Sequence, residues 1–238
     1  MTVNSSTSPG EGLAPTRERR SQAQRRQRTR RSLLDAALAQ MDAGESFDAV
    51  SLRGVARAAG VVPTAFYRHF ASMNELGLAL VDESFRTLRA MLREPRDGGP
   101  EPEPVIRRSV EILVAHVRAH RQHFAFVARA RSSGNTLLRR AIRDEIRLFA
   151  SELATDLARF PLLRDWSTED LQMLAGLLVN TMIATAEAIL DAPTTDAGAA
   201  LPDGDRAPAS APEAEIARLA EKQLRLTMLA VPQWRSAG

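Results

Sequence analysis

Between Ser51 and Phe70 the chain reads SLRGVARAAGVVPTAFYRHF, and this punctuation leaves little freedom of local structure. Ser51 is a good helix N-cap, because its hydroxyl can accept a backbone N–H that no carbonyl of the helix can reach. Leu52, Val55, Ala56 and Ala59 then recur at helical spacing and form one apolar face. Gly60 supplies the left-handed residue that ends many helices. Pro63 suits the first turn of a second helix, where its missing N–H costs nothing, and that helix reaches about His69. A short helix, a tight turn and a second short helix make helix-turn-helix spacing, in which the second helix enters the major groove of DNA.

The second helix divides its labour by face. Phe66 and Phe70 are four residues apart, so they share a side and anchor it to Leu52 and Val55. Thr64, Ala65, Tyr67 and Arg68 point elsewhere. Thr64 offers a hydroxyl and a methyl near the helix start, and Arg68 suits guanine edges or phosphate. Tyr67, the only tyrosine in the chain, can lay its ring on its neighbours and send its hydroxyl to a phosphate. A half-buried core tyrosine is the plainer alternative for it.

The rest of the chain reads as helix. One helix spans about Thr29 to Met41, and a fourth runs from near Ser72 towards Arg93 with Leu76, Leu80 and Leu88 on one side. The breaker EPRDGGPEPEP, 94–104, follows. Ile106, Val110, Leu113, Val114 and Val117 trace one stripe; Ile142, Ile146, Phe149, Leu153 and Leu157 trace another. WSTEDL opens a further helix with a capping box of Ser167 and Asp170 and a staple of Trp166 on Leu171. From Leu171 to Leu190 that helix is apolar almost all round, which calls for burial on several sides. Residues 192–212 suit a long mobile loop, and a last helix runs from about Pro212 to Ala230. No alternating stretch supports a strand, and there is no internal repeat. The expected fold is all-α, with a three-helix helix-turn-helix domain at 28–72 and a second helical domain at 73–232, to which the family resemblance described below assigns effector binding and dimerisation.

Composition narrows the functional classes. There is no cysteine, which excludes disulfides, thiolate metal sites and cysteine nucleophiles and fits a reducing cytoplasm. No signal segment and no membrane partner are expected, so the expected location is cytoplasmic. The net charge of +3 conceals a basic N-terminus, where residues 16–31 hold eight arginines and one glutamate. Arginines there suit a polyanion, although a solvated tail has the same composition. Residues 1–27 are expected to be a disordered basic arm. His116, His120 and His123 have the spacing H-x3-H-x2-H, and a pair four apart can bind zinc from one helix face. No carboxylate stands nearby at a persuasive spacing, so boundary or surface histidines are the better reading. No G-x-S-x-G elbow appears, and an enzyme is not expected. A helical scaffold without DNA binding is the remaining class.

The run from Thr29 to Val81 resembles the DNA-binding domain of TetR-family transcriptional regulators. The likeness rests on Thr29 and Arg30, the run Val55 to Val61, then Tyr67, His69, Phe70, Glu75 and Leu76. Two positions depart from the family pattern: Met73 replaces a lysine commonly used for phosphate, and Val62 stands where a capping serine is usual. The segments PTAFYRHF, ELGLALVDES, QHFAFVARARSSGNTLLRRAIRDEIRLFASEL and TAEAIL are similar to the FabR/DesT-type repressors of unsaturated fatty acid synthesis.

That resemblance implies a homodimer on double-stranded operator DNA, with affinity modulated by a long-chain acyl thioester on CoA or acyl carrier protein; no cofactor is implied. A TetR-type repressor answering a drug or other hydrophobic small molecule is the alternative. Carried over by position, Thr64, Ala65, Tyr67, Arg68 and His69 form the DNA-contact set, with Ser51 and Arg53 opposite the backbone and Arg28 and Arg30 in the arm. Phe124, Phe126, Val127, Leu148, Phe149, Leu178 and Met182 are candidates to line an acyl tunnel, although such stripes equally suit a packed core. Arg129, Arg131, Arg139 and Arg140 are candidates for an anionic head group or a solvated face. The helix from Leu171 to Leu190 with the last helix resembles the family's dimer interface.

Overall fold

In the computed structural model, residues 14–42, 46–92, 102–193 and 211–236 are described, and every regular element among them is helical. The helices are α1 (Ala14–Asp42), α2 (Leu52–Ala58), α3 (Pro63–Phe66), α4 (Met73–Leu92), α5 (Pro102–Ala119), α6 (Arg121–Arg131), α7 (Thr136–Leu157), α8 (Thr168–Asp191) and α9 (Ala211–Ala230). A 3-10 turn, Val231–Gln233, ends the chain of elements. The residues expected to form the breaker at 94–101, the loop at 194–210 and the first part of the arm, 1–13, lie outside the described residues.

Residues 14–27, expected to be part of the disordered arm, are helical in the structure. α1 begins at Ala14 rather than at Thr29. From Thr16 to Met41 the sequence has neither glycine nor proline, and its arginines, glutamines and alanines favour helix, so nothing stops α1 extending backwards.

Capping explains most of the other boundaries. The Ser51 hydroxyl accepts from Gly54 N at 3.0 Å and starts α2. Gly60, at φ +69, turns the chain out of α2, and Val61 N donates to Ala56 O across the turn. α4 opens with a capping box absent from the sequence reading: Ser72 Oγ accepts from Glu75 N, and Glu75 reaches back to Ala71 N at 2.5 Å. The α8 box forms in a modified way. Ser167 Oγ accepts from Asp170 N at 3.1 Å, but Ser167 N donates to Ser236 Oγ at 2.7 Å, so a residue of the C-terminal tail takes the place expected of Asp170. α8 has the length and apolarity of a membrane span, yet it packs against α5, α6, α7 and α9 as a core helix of the bundle.

Two hydrophobic clusters result. One joins α1, α2, α3 and α4 through Leu33, Leu34, Val55, Phe66, Phe70 and Leu76, and it also takes in Phe126, Ala130, Leu138 and Ile142 from α6 and α7. The other fills the space between α5, the distal part of α7, α8 and α9.

Candidate DNA-recognition surface and effector cavities

The short α3 is held from below. Phe66 and Phe70 are fully buried with ring centroids 5.6 Å apart, and the turn after α3 is closed by His69 N to Phe66 O and Phe70 N to Phe66 O. Val62, at the N-cap, makes no side-chain cap, in keeping with the absence of serine there. Pro63 restricts the backbone instead. Tyr67 sits edge-on to Phe66 at 5.8 Å, and 62% of it is exposed, which removes the buried-core alternative. Thr64 and Arg68 are exposed, Ala65 is half-buried, and Ser51 and Arg53 are exposed at the start of α2. The Ser51 oxygen is already engaged as the cap.

α1 brings its arginines to the same surface. The Arg30 guanidinium lies 4.9 Å from the Phe70 ring centroid, a cation–π contact that also holds α1 against the turn after α3. Arg26 donates to Arg68 O at 3.4 Å, and Arg25, Arg26, Thr29, Arg68 and His69 line one concave groove. Arg28 is exposed. Burial, then the positive charges of Arg26, Arg30 and Arg68, hold the His69 imidazole below its ordinary pKa. Its Nδ1 is buried without a hydrogen-bond partner. Met73, at the start of α4, packs against the core of this domain, which accounts for an apolar residue at that position.

The distal half contains two apolar cavities. The inner one, about 70 Å³, lies between α4, α5, α6, α7 and α8, and among its walls are Phe85, Phe124, Val127, Phe149 and Met182. An Arg131–Glu187 ion pair at 2.8 Å joins α6 to α8 at its edge. The outer one, about 490 Å³, lies between α5, α7, α8 and α9, and Leu178 and Met182 are in its walls. The structure therefore brings Phe124, Val127, Phe149 and Met182 together.

The structure places three of the candidates away from the inner cavity. Phe126 faces the opposite way from Phe124 and packs 6.3 Å from the Phe47 ring in the N-terminal core. Leu148 is 49% exposed, because its position on α7 points away from the bundle. Leu178 lines the outer cavity rather than the inner one. Of the four arginines, Arg129 donates to Met41 O and Arg131 pairs with Glu187, which leaves Arg140 exposed and Arg139 half-buried.

The histidines form a row: ring centroids of His116 and His120 are 5.6 Å apart, and those of His120 and His123 are 6.5 Å apart. His123 Nδ1 pairs with the buried Ser84 hydroxyl at 3.0 Å. Burial lowers the pKa of both His120 and His123. Among the described residues no group of three side chains is placed to hold a metal ion.

Sequence reasoning missed one junction. Asn135 caps α7 by accepting from Leu138 N at 3.1 Å, and its amide nitrogen donates to Asp48 Oδ1 at 3.3 Å and Asn74 Oδ1 at 3.2 Å. The breaker run Ser-Ser-Gly-Asn before Thr136 was the available signal.

Comparison with known proteins now decides the family. Residues 33–80 match the model for bacterial regulatory proteins of the tetR family, and residues 102–228, more than half of the chain, match the tetracyclin repressor-like C-terminal domain. The chain belongs to the TetR family. Its fold is shared with GusR of Salmonella enterica, at 20% identity and a TM-score of 0.62 over 87% of this chain and 96% of that one. A transcriptional regulator from Rhodococcus sp. Rha1 superposes at 19% identity and 0.57, over 86% and 96%. The fatty acid degradation regulator FadR of Bacillus halodurans does so at 14% identity and 0.56, over 86% and 98%. The protein is accordingly a TetR-type DNA-binding transcriptional regulator and not an enzyme. Regulators of this family bind operator DNA and typically dimerise, with small-molecule effectors.

Proposed function

We propose that this TetR-family protein is a homodimeric repressor of unsaturated fatty acid synthesis genes whose operator affinity is set by a long-chain acyl thioester. The observation that carries the effector reading is the position of Phe85. This buried side chain of α4 belongs to the helix-turn-helix core and also lines the inner cavity. A ligand that displaces it moves the helix on which the recognition domain rests. The apolar walls favour a hydrocarbon chain. The sequence segments shared with the FabR/DesT-type repressors support an acyl chain in particular.

On DNA, Thr64 and Arg68 read base edges, Tyr67 and the α1 arginines hold phosphates, and the His69 ring offers an N–H to a phosphate. The dimer forms through outward stripes on α8 and α9, where Met173, Leu177, Leu219, Leu226 and Leu229 are exposed. Effector binding acts through its different affinities for two spacings of the recognition helices, which must match half-sites about 34–36 Å apart. Operator fragments selected from the source genome, and their affinities with palmitoyl and oleoyl thioesters, test the proposal. Release by a drug-like compound but by neither thioester would replace the acyl assignment.

A further inference from the structure

The outer cavity carries an inference of its own. At about 490 Å³ it falls within the range of ligand sites, whereas the inner cavity at about 70 Å³ holds little more than two waters. Its walls include Ile106 of α5, Leu153 of α7, Leu178 of α8, Leu224 and Met228 of α9 and the corner at Phe160. Charge at the rim is self-neutralised, since Asp156 and Arg159 pair at 3.2 Å, so an ionic ligand finds no uncompensated partner there. Protein interiors hold few voids larger than a water molecule, because unfilled apolar walls lose their dispersion contacts.

The connection from α4 to α5 is poorly equipped to fill this space. Residues 93–101, which join α4 to α5, are only charged residues, proline and glycine. A second copy is also the wrong occupant. On α8 the outward stripe runs through Met173, Leu177, Asn180 and Ala184, while Leu178 and Met182 lie well round the helix from it. On α9 Leu219, Lys222, Leu226 and Leu229 face out and Leu224 and Met228 face in. Met182, an unbranched side chain with soft rotamers, borders both cavities.

We infer that the outer cavity is a binding site for a neutral, extended hydrocarbon chain, and that Met182 is the movable partition through which its end reaches the inner cavity. The inference builds on the effector reading above but places the bulk of the ligand between α5, α7, α8 and α9. Nile red serves as a neutral apolar probe for titration, and an uncharged long-chain alkyl diazirine as a photo-crosslinker on the full chain. Adducts are expected at 160–163 and around Leu224 and Met228, and Leu224→Trp should weaken Nile red at least tenfold with an unaltered melting curve. Should Leu224→Trp fail to fold, the adduct positions on the wild-type protein decide. Adducts confined to α6 or to the outward stripes, or unchanged Nile red affinity in folded Leu224→Trp, would overturn the site. Operator affinity is read separately: hydrocarbon binding in the outer cavity without any effect on operator affinity contradicts the effector reading and leaves the site standing.

Discussion

The two cores of this molecule are built to different standards. The one beneath the recognition helix is filled by Leu33, Val55, Phe66, Phe70, Leu76 and Leu80, each at most 1% exposed, while the distal one surrounds two cavities. The dense core does not stop at the expected domain boundary. It takes Phe126 and Ala130 from α6 and Leu138 and Ile142 from α7, and Asn135 ties the corner between those helices to Asp48 and Asn74. A tightly packed core transmits a displacement rather than absorbing it, and a loosely packed one can be remodelled by a ligand. The dense core and the cavity-lined region thus adjoin at Phe85, the arrangement on which the proposed effector mechanism relies.

The sharpest way to break this contrast is Phe126→Ala. Though distant in sequence from the DNA-binding half, Phe126 is 1% exposed against Phe47, and its truncation should cost about 3–5 kcal/mol in chemical denaturation. A loss below about 1 kcal/mol, the scale of an ordinary mutation, would mean that the core is not shared. Next in size is Arg68→Ala, which should weaken operator binding by about 1–3 kcal/mol and relax preference at one base pair. Tyr67→Phe should weaken binding less and alike on all sequences in a competition assay; a change in base preference would move Tyr67 from phosphate to base.

Smaller effects probe the junction. A Cβ on Gly77 would stand 2.7 Å from Phe47 Cζ and 3.0 Å from Leu138 Cδ2. Overpacking costs about 1–3 kcal/mol, offset by up to about 1 kcal/mol of better helix propensity, so Gly77→Ala should be net destabilising in a urea melt. Asn135→Ala should lose about 1 kcal/mol as a missing cap.

The least effect is expected from pH. His69, His120 and His123 all have pKa values lowered by burial from 6.5, so below that pH the unfolded chain binds more protons than the folded one. Stability should be full above about pH 6.5 and fall as pH drops through the lowered values. Melting temperatures at successive pH values check this, and His123→Gln should flatten part of the fall.

Much of the DNA-facing half was legible because its signals are local. Ser51, Gly60 and Pro63 set the turn, and the i,i+4 pair of Phe66 and Phe70 set the buried face. The exposure of Tyr67 was not settled by that periodicity, which left a half-buried place open; the structure decides it. Failures came where the answer depends on a partner far along the chain. Phe124 and Phe126 are two residues apart on one helix and serve different cores, which no stripe of apolar residues reveals. Leu148 continued an apolar run yet faces out, and the α1 extension was hidden by a charge density that suggests disorder while its residues favour helix.

The claim that a hydrocarbon effector governs DNA affinity is tested most directly by one equilibrium titration. Affinity for a genomically selected operator should be measured at fixed salt with no ligand, with palmitoyl thioester and with oleoyl thioester. The account predicts that the two ligands leave affinities differing by about 5–150-fold, the usual range of allosteric coupling. Equal affinities at saturating concentrations of both would contradict it.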